Sequence, residues 1–488
     1  MSSQHLQVLR DFWYTRALRV PMLLIWVATF GGALHAPCTA YYLTALGASP
    51  TDIGNMGMLI GLGELLMAPL YGWMLDRVSP FHAIVATGGF CTIGCIVRGA
   101  TPNLAGAYVG AGLVGLGAAN LWTVVLTYAS SVLPASRRSA VVAGFSLQVL
   151  VLNIVGKAAY TPCVYALAAA GVDDDLSRWR VMMCTCPLFC VFGWVALPLC
   201  GRAVPRGPLG ADGRVSAADP TEEVAAAEEG ASAKPAPSSG GGGGDARPVL
   251  FSVCAACIFL AAYAKASISV LWPLYLRDAY AYADAEYSAL LLTQNVLTAA
   301  AVAALPSLSA RLGAAALAPP LCALAAATSL AVFNDAAPRR HAAYAIVFFA
   351  AHAMLFATLQ ALGSLLVPAA AQGRAFATLA MLASLGDVAG NGAATRLYAH
   401  AHTPYIASAL PRPLSVRSVP ALAAAALLAA ATLALACARA HFAEAMVDAA
   451  GSTGARGRAS PPNSPRLHAQ VGVAEEREGL LQRRRLVT

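Results

Sequence analysis

Lysine is nearly missing from this chain of 488 residues; Lys157, Lys234 and Lys265 are the whole supply. Charged residues of all kinds make up 11% of it, against about 25% in a soluble globular domain. A water-soluble fold is thereby excluded, because its surface would be left as large apolar patches. The signs of several activities are missing too. No GxxxxGK[ST] loop occurs, so ATP drive has no support. No HExxH and no Ser, His and carboxylate grouping stands in the loops, so the chain reads as no enzyme and no catalytic residue is assigned. The arginines sit singly in short loops and in the two tails. The net charge of +8 therefore implies no nucleic acid partner, for want of a basic stripe or recognition motif. The twelve cysteines include a CxxC at Cys254 and Cys257 and a close pair at Cys184 and Cys186. All fall in or at the ends of apolar runs and read as small hydrophobes, with no disulfide framework, no metal and no cofactor.

What is there is apolar: 58% of residues, with a mean hydropathy of +0.63. Twelve runs approach the roughly 20 residues that a helix needs to cross a bilayer. They lie near 21–46, 53–75, 82–100, 104–131, 139–168, 179–200, 249–276, 285–308, 314–333, 341–366, 374–399 and 419–440. The expected fold is an all-α membrane protein with twelve transmembrane helices in two six-helix, pseudo-symmetric halves. The first run follows Arg10, Arg16 and Arg19 but is too long for a signal peptide, so it reads as a retained anchor. Arg77, Arg137, Arg138, Arg202 and Arg206 share its side, and only Arg98, Arg178 and Arg180 fall opposite in the first half. That bias places the N-terminus, and by the even span count the C-terminus, in the cytoplasm. The expected division is a cytoplasmic N-terminal segment (1–20), a first half (21–200), a linker (201–248), a second half (249–442) and a disordered cytoplasmic tail (443–488). The linker, with five consecutive glycines from Gly240, lacks the apolar residues to offset its ordering entropy.

A shift of 234 positions relates the halves. It carries "GWMLDRVS" at Gly72–Ser79 onto "PSLSARLG" at Pro306–Gly313, so Arg77 falls on Arg311, and it carries Pro134 onto Pro368. Parallel halves of this kind recur among transporters. Here the chain resembles the major facilitator superfamily, whose G-x-x-x-D-R-x-G-R-R signature is matched by Gly72, Asp76 and Arg77. "LGASPTDIG" before span 2, "PASRRSA" before span 5 and "RWR" opening span 6 extend the likeness. The resemblance implies that Asp76, with Gly72, Arg77 and Arg311, forms a conformational latch between the halves; a carboxylate at a helix N-terminus is stabilised by the helix dipole. Ser79, Pro80 and Phe81 replace the Gly and the basic pair of the family pattern, and Ala111 stands where many members carry an Arg. Span 5 keeps Gly144 and Gly156 but lacks the GP pair of an antiporter-type pattern, and this absence together with Ala111 weakens a reading as a proton-driven drug exporter.

Ionisable residues at membrane depth cost about 2.5–3.5 kcal/mol to insert, so they mark function by default. Glu64, Lys157, Lys265 and Asp387 fall in spans 2, 5, 7 and 11. The shift carries Asn153 onto Asp387 and Lys157 onto Asn391. Each pair is spaced i, i+4 and shares one helix face. His35 and Gln294 add hydrogen-bonding groups, and Trp122 and Trp272 are candidates for stacking on a ring or for anchoring at the interface. Either the four charges form structural salt bridges, or the lysines bind an anionic group while a carboxylate takes up a proton or a cation. The expected function is a secondary active transporter that moves a small organic solute by alternating access, with protons as the candidate coupling ion. Two alternatives stand: a sensor or assembly partner of the same fold, and, among transporters, efflux of hydrophobic compounds rather than movement of an anionic metabolite. "EREGLLQ" places Glu476 four residues before Leu480 and Leu481. It resembles an acidic dileucine signal, which implies an endolysosomal or vacuolar membrane as against the plasma membrane. A monomer in a lipid bilayer is the expected state.

Overall fold

A computed structural model describes residues 10, 13–132, 138–207, 247–333, 337–367, 372–400 and 419–456. Its twelve long helices are α1 Arg16–Ala45, α2 Pro50–Arg77, α3 Pro80–Ala100, α4 Leu104–Val132, α5 Arg138–Ala169, α6 Asp175–Cys200, α7 Arg247–Tyr280, α8 Asp284–Leu312, α9 Ala314–Val332, α10 Pro338–Leu365, α11 Gln372–His400 and α12 Val419–Arg456. Each overlaps one apolar run of the sequence. Eleven are long and apolar enough to cross a bilayer on that criterion. The one that falls short is α11, whose body carries Asp387, Asn391 and Arg396. The last helix reaches Arg456, well into the segment expected to be a disordered tail. Its Ala-rich continuation, with Glu444 and Met446, consists of good helix formers. Residues 208–246 of the linker and the sorting motif at Glu476, Leu480 and Leu481 lie outside the described residues.

Local chemistry sets the helix ends. Ser49 caps α2: its Oγ accepts from Asp52 N at 3.2 Å, and Asp52 Oδ2 accepts from Ser49 N at 2.9 Å. With Pro50 in the first turn, this is a capping box that fixes the entry of the helix. Ser79 caps α3 in the same way, its Oγ accepting from His82 N at 3.2 Å. The residues that depart from the family signature are therefore a helix start. Phe81 is held against the chain beyond α6, with Phe81 N donating to Pro205 O at 3.3 Å and Arg206 lying 5.0 Å over its ring.

The halves repeat in packing as well as in sequence. Helix α5 packs on α1 and α8, and α11, six helices later, packs on α7 and α2. The seam between α2 and α11 is tight because glycines line it. A Cβ added at Gly61 would stand 2.5 Å from Val388 Cγ2, and one at Gly57 would stand 2.8 Å from Asn391 Nδ2. Small residues let membrane helices approach closely and pack by van der Waals contact.

Candidate functional site

The two halves meet along α2–α11 and α5–α8, and hydrogen bonds tie them at one end. Asp284, the first residue of α8, accepts from Trp179 Nε1 of α6 at 2.7 Å and from the Tyr160 hydroxyl of α5. Tyr41 of α1 donates to Tyr282 O at 3.0 Å, and Ser288 Oγ donates to Lys157 O at 3.2 Å. This is the end that carries the α1–α2 and α7–α8 turns.

Along the seam lies a charged cluster whose ionisable members come from α2, α7 and α11, with polar groups of α4 and α10 beside it. Lys265 Nζ of α7 is 3.5 Å from Asp387 Oδ2 of α11, and the two side chains remain 42% and 35% exposed. The other carboxylate oxygen, Asp387 Oδ1, is buried without a hydrogen-bond partner. One helical turn back, Ser384 Oγ donates to Glu64 Oε2 of α2 at 3.4 Å, and Glu64 feels the charges of both Asp387 and Lys265. Asn120 Nδ2 of α4 donates to Glu64 O at 3.2 Å. His352 of α10 is buried nearby, stacked on Phe356 and within reach of the charge of Lys265. Two carboxylates, one ammonium and an unsatisfied oxygen thus converge from both halves. Such a cluster can exchange its internal ion pair for a charged ligand or take up a proton.

A model of the major facilitator superfamily matches residues 22–391. The chain belongs to the major facilitator superfamily. No curated protein matches it in sequence, whereas solved structures match its fold at low identity. A D323A mutant of the nucleoside transporter NupG is 12% identical with a TM-score of 0.60, covering 87% of this chain and 99% of its own. A bacterial homologue of the human lysosomal transporter Spinster, inward-facing and unoccupied, is 14% identical with a TM-score of 0.58, covering 91% and 98%. The human organic anion transporter MFSD10 is 13% identical with a TM-score of 0.56, covering 86% and 99%.

Within this facilitator fold, the residues singled out from the sequence do not form one site. Glu64, Lys265 and Asp387 meet at the seam, and Asn391 packs beside Gly57 one turn further along α11. Lys157, aligned with Asn391 by the internal repeat, does not join them: its ammonium has no ion pair among the described residues. The repeat pairs Asp387 with Asn153 and Lys157 with Asn391, and helix packing gives Asp387 to Lys265, because α11 lies against α7. Asn153 and His35 line a cavity of about 210 Å³ inside the first half, together with Trp122. Gln294 is buried in α8. Trp272 is 1% exposed and donates to His341 Nε2 at 2.9 Å, within a cluster that includes Tyr287 and Phe349. It is therefore a core residue rather than an interface anchor. Of the latch, Gly72 has open space around it, Arg77 and Arg311 are exposed without an ion pair among the described residues, and the Asp76 side chain lies outside them.

Two features escaped the sequence reading. Asp284 and its Tyr160 and Trp179 partners join helices that are distant in the chain, and nothing in "YADAEYS" marks that acidic residue over its neighbours. The other concerns the cysteines, which gather rather than scatter. Cys91, Cys95 and Cys190 lie with their sulfurs within 4.8 Å of one another, and Cys186 Sγ is 3.7 Å from Cys95 Sγ and 4.0 Å from Cys190 Sγ. The signal was present as C-x-x-x-C in both "CTIGC" and "CPLFC". Four-residue spacing places both thiols of each pair on one helix face, and α3 packs on α6.

Proposed function

We propose that this facilitator is a secondary transporter for a small organic solute bearing an anionic group, coupled to protons and driven by rocking of the two halves about the α2–α11 and α5–α8 seams. The observation that carries the proposal is the Lys265–Asp387 pair, which is partly open to solvent in a seam tied at one end. Lys265 is the group that receives the anion, releasing Asp387. Glu64, hydrogen-bonded from the opposite half, is the site for the coupling proton. A carboxylate next to a second carboxylate favours protonation of one of them. With the arginine bias setting the termini in the cytoplasm, the tied end faces away from the cytoplasm. The pair is then reached from the cytoplasmic side, as in an inward-facing state.

The test is a thermal-shift screen of the purified chain against pools of organic anions, nucleosides and peptides, since a ligand at a hundredfold its Kd stabilises by about 2.7 kcal/mol. Hits among anions that vanish in Lys265→Ala support the reading. Hits confined to uncharged hydrophobic compounds, or unaffected by that substitution, overturn it. Binding without uptake in reconstituted vesicles assigns the chain to the solute sensors instead.

A further inference from the structure

The cavity inside the first half is not on the seam. It is enclosed by α1, α3, α4, α5 and α6, and its wall holds Cys91, Cys95, Cys186 and Cys190 together with His35 and Arg98. We propose that this wall is a metal site in which the four thiolates bind one thiophilic divalent cation of the zinc type.

Two observations point the same way. The first is spacing. Four sulfurs set tetrahedrally about a zinc ion at roughly 2.3 Å stand about 3.8 Å apart. The pairs Cys95–Cys186 and Cys186–Cys190 are at 3.7 and 4.0 Å, and Cys91 lies within 4.8 Å of Cys95 and Cys190. Two C-x-x-x-C pairs on facing helices bring the sulfurs together: Cys91, Cys95 and Cys190 form one group, and Cys186 stands beside two of its members and would have to close on the third. The second is charge. Arg98, in the last turn of α3, has its Nε buried without a hydrogen bond and makes no ion pair among the described residues; burial is the largest influence on it, followed by the charge that thiolates at Cys95 and Cys186 would carry. A guanidinium nitrogen buried at a helix end gains from a nearby counter-charge. Thiols packed merely as small hydrophobes supply none. Thiolates do, and a metal ion holds them ionised by displacing their protons.

Because the cavity lies within one half, the ion is a resident and not the cargo. It would tie α3 to α6 and stiffen the first half as one rocking body. This inference is independent of the reading of Lys265, and its test uses no solute.

The purified full chain, stripped with chelator, is titrated with cobalt(II) and then with zinc(II) or cadmium(II). One equivalent of cobalt should bring the visible and sulfur-to-metal charge-transfer bands of a tetrahedral thiolate site, and zinc should remove them. On the unmodified chain, zinc or cadmium should protect Cys91, Cys95, Cys186 and Cys190 from alkylation, as located by mass spectrometry, and leave Cys254 and Cys257 unchanged. Paired Cys91→Ser and Cys190→Ser should abolish the bands; paired Cys254→Ser and Cys257→Ser should keep them. Arg98→Gln should weaken binding by about tenfold, as loss of a supporting group does. Absence of the bands, protection spread over all cysteines, or a Cys95–Cys186 disulfide in the purified chain would overturn the proposal. The protection map needs no variant, so failure of a serine variant to fold leaves the test intact.

Discussion

Replacing Lys265 with Ala separates a binding charge from a structural clamp. At about 4 Å and an effective dielectric constant of about 20, two unit charges attract by about 4 kcal/mol. Most of that is offset by the cost of removing both groups from water. How much remains depends on burial. Breaking a fully buried pair costs about 3–5 kcal/mol, whereas exposed pairs are worth about 0.2–1 kcal/mol. Lys265 and Asp387 are 42% and 35% exposed at a separation of 3.5 Å, which places them near the lower range. Lys265→Ala should therefore lower the stability of the folded chain by about 1 kcal/mol, read by denaturant or thermal unfolding in detergent. The effect on an anionic ligand should be larger. A hydrogen bond to a charged group is worth about 1.5–3 kcal/mol, so affinity should fall about ten- to a hundredfold. Adding Asp387→Asn should restore what little stability was lost and should not restore binding. The opposite pattern refutes the reasoning: a loss of several kcal/mol in Lys265→Ala, recovered in the double variant, with binding intact.

Three further outcomes follow from the same geometry. Gly61→Leu would drive a side chain into Val388, 2.5 Å from where its Cβ would stand; overpacking of this kind costs about 1–3 kcal/mol, and crosslinking between cysteines placed on α2 and α11 should fall. Asp284→Ala removes the acceptor shared by Tyr160 and Trp179, and a cysteine placed at Ser288 should then react faster with an impermeant maleimide added from outside. Protease added outside sealed, right-side-out vesicles should leave the glycine-rich stretch Gly240–Gly244 uncut, whereas cleavage there would reverse the orientation drawn from the arginines.

Much of the fold was legible because the bilayer restricts what a chain can do. Only helices and closed barrels satisfy every backbone group in lipid, so apolar run length alone located each of the twelve helices to within several residues at most ends. Even α11, the helix too polar to pass on hydropathy, was among the runs read from the sequence. The exception at an end was α12, where alanine-rich sequence beyond the apolar run continued as helix to Arg456. The identity of the buried charges was legible for the same reason: in lipid, Glu64, Lys265 and Asp387 are conspicuous.

What those charges touch was not legible. Span position says how deep a side chain lies, but its partners depend on helix rotation and on which helices are neighbours. The sequence offered Asp387 two lysines in membrane spans, and it faces Lys265 because α11 packs on α7 and α2. The thiols make the point more sharply. Cys91 and Cys95 are separated from Cys186 and Cys190 by some ninety residues, and within each helix the four-residue spacing is equally that of an ordinary packing face. Only the contact of α3 with α6 converts two unremarkable pairs into one set of four sulfurs beside Arg98. A membrane chain thus announces its costly residues one by one, and the chemistry they perform is decided by helix adjacency.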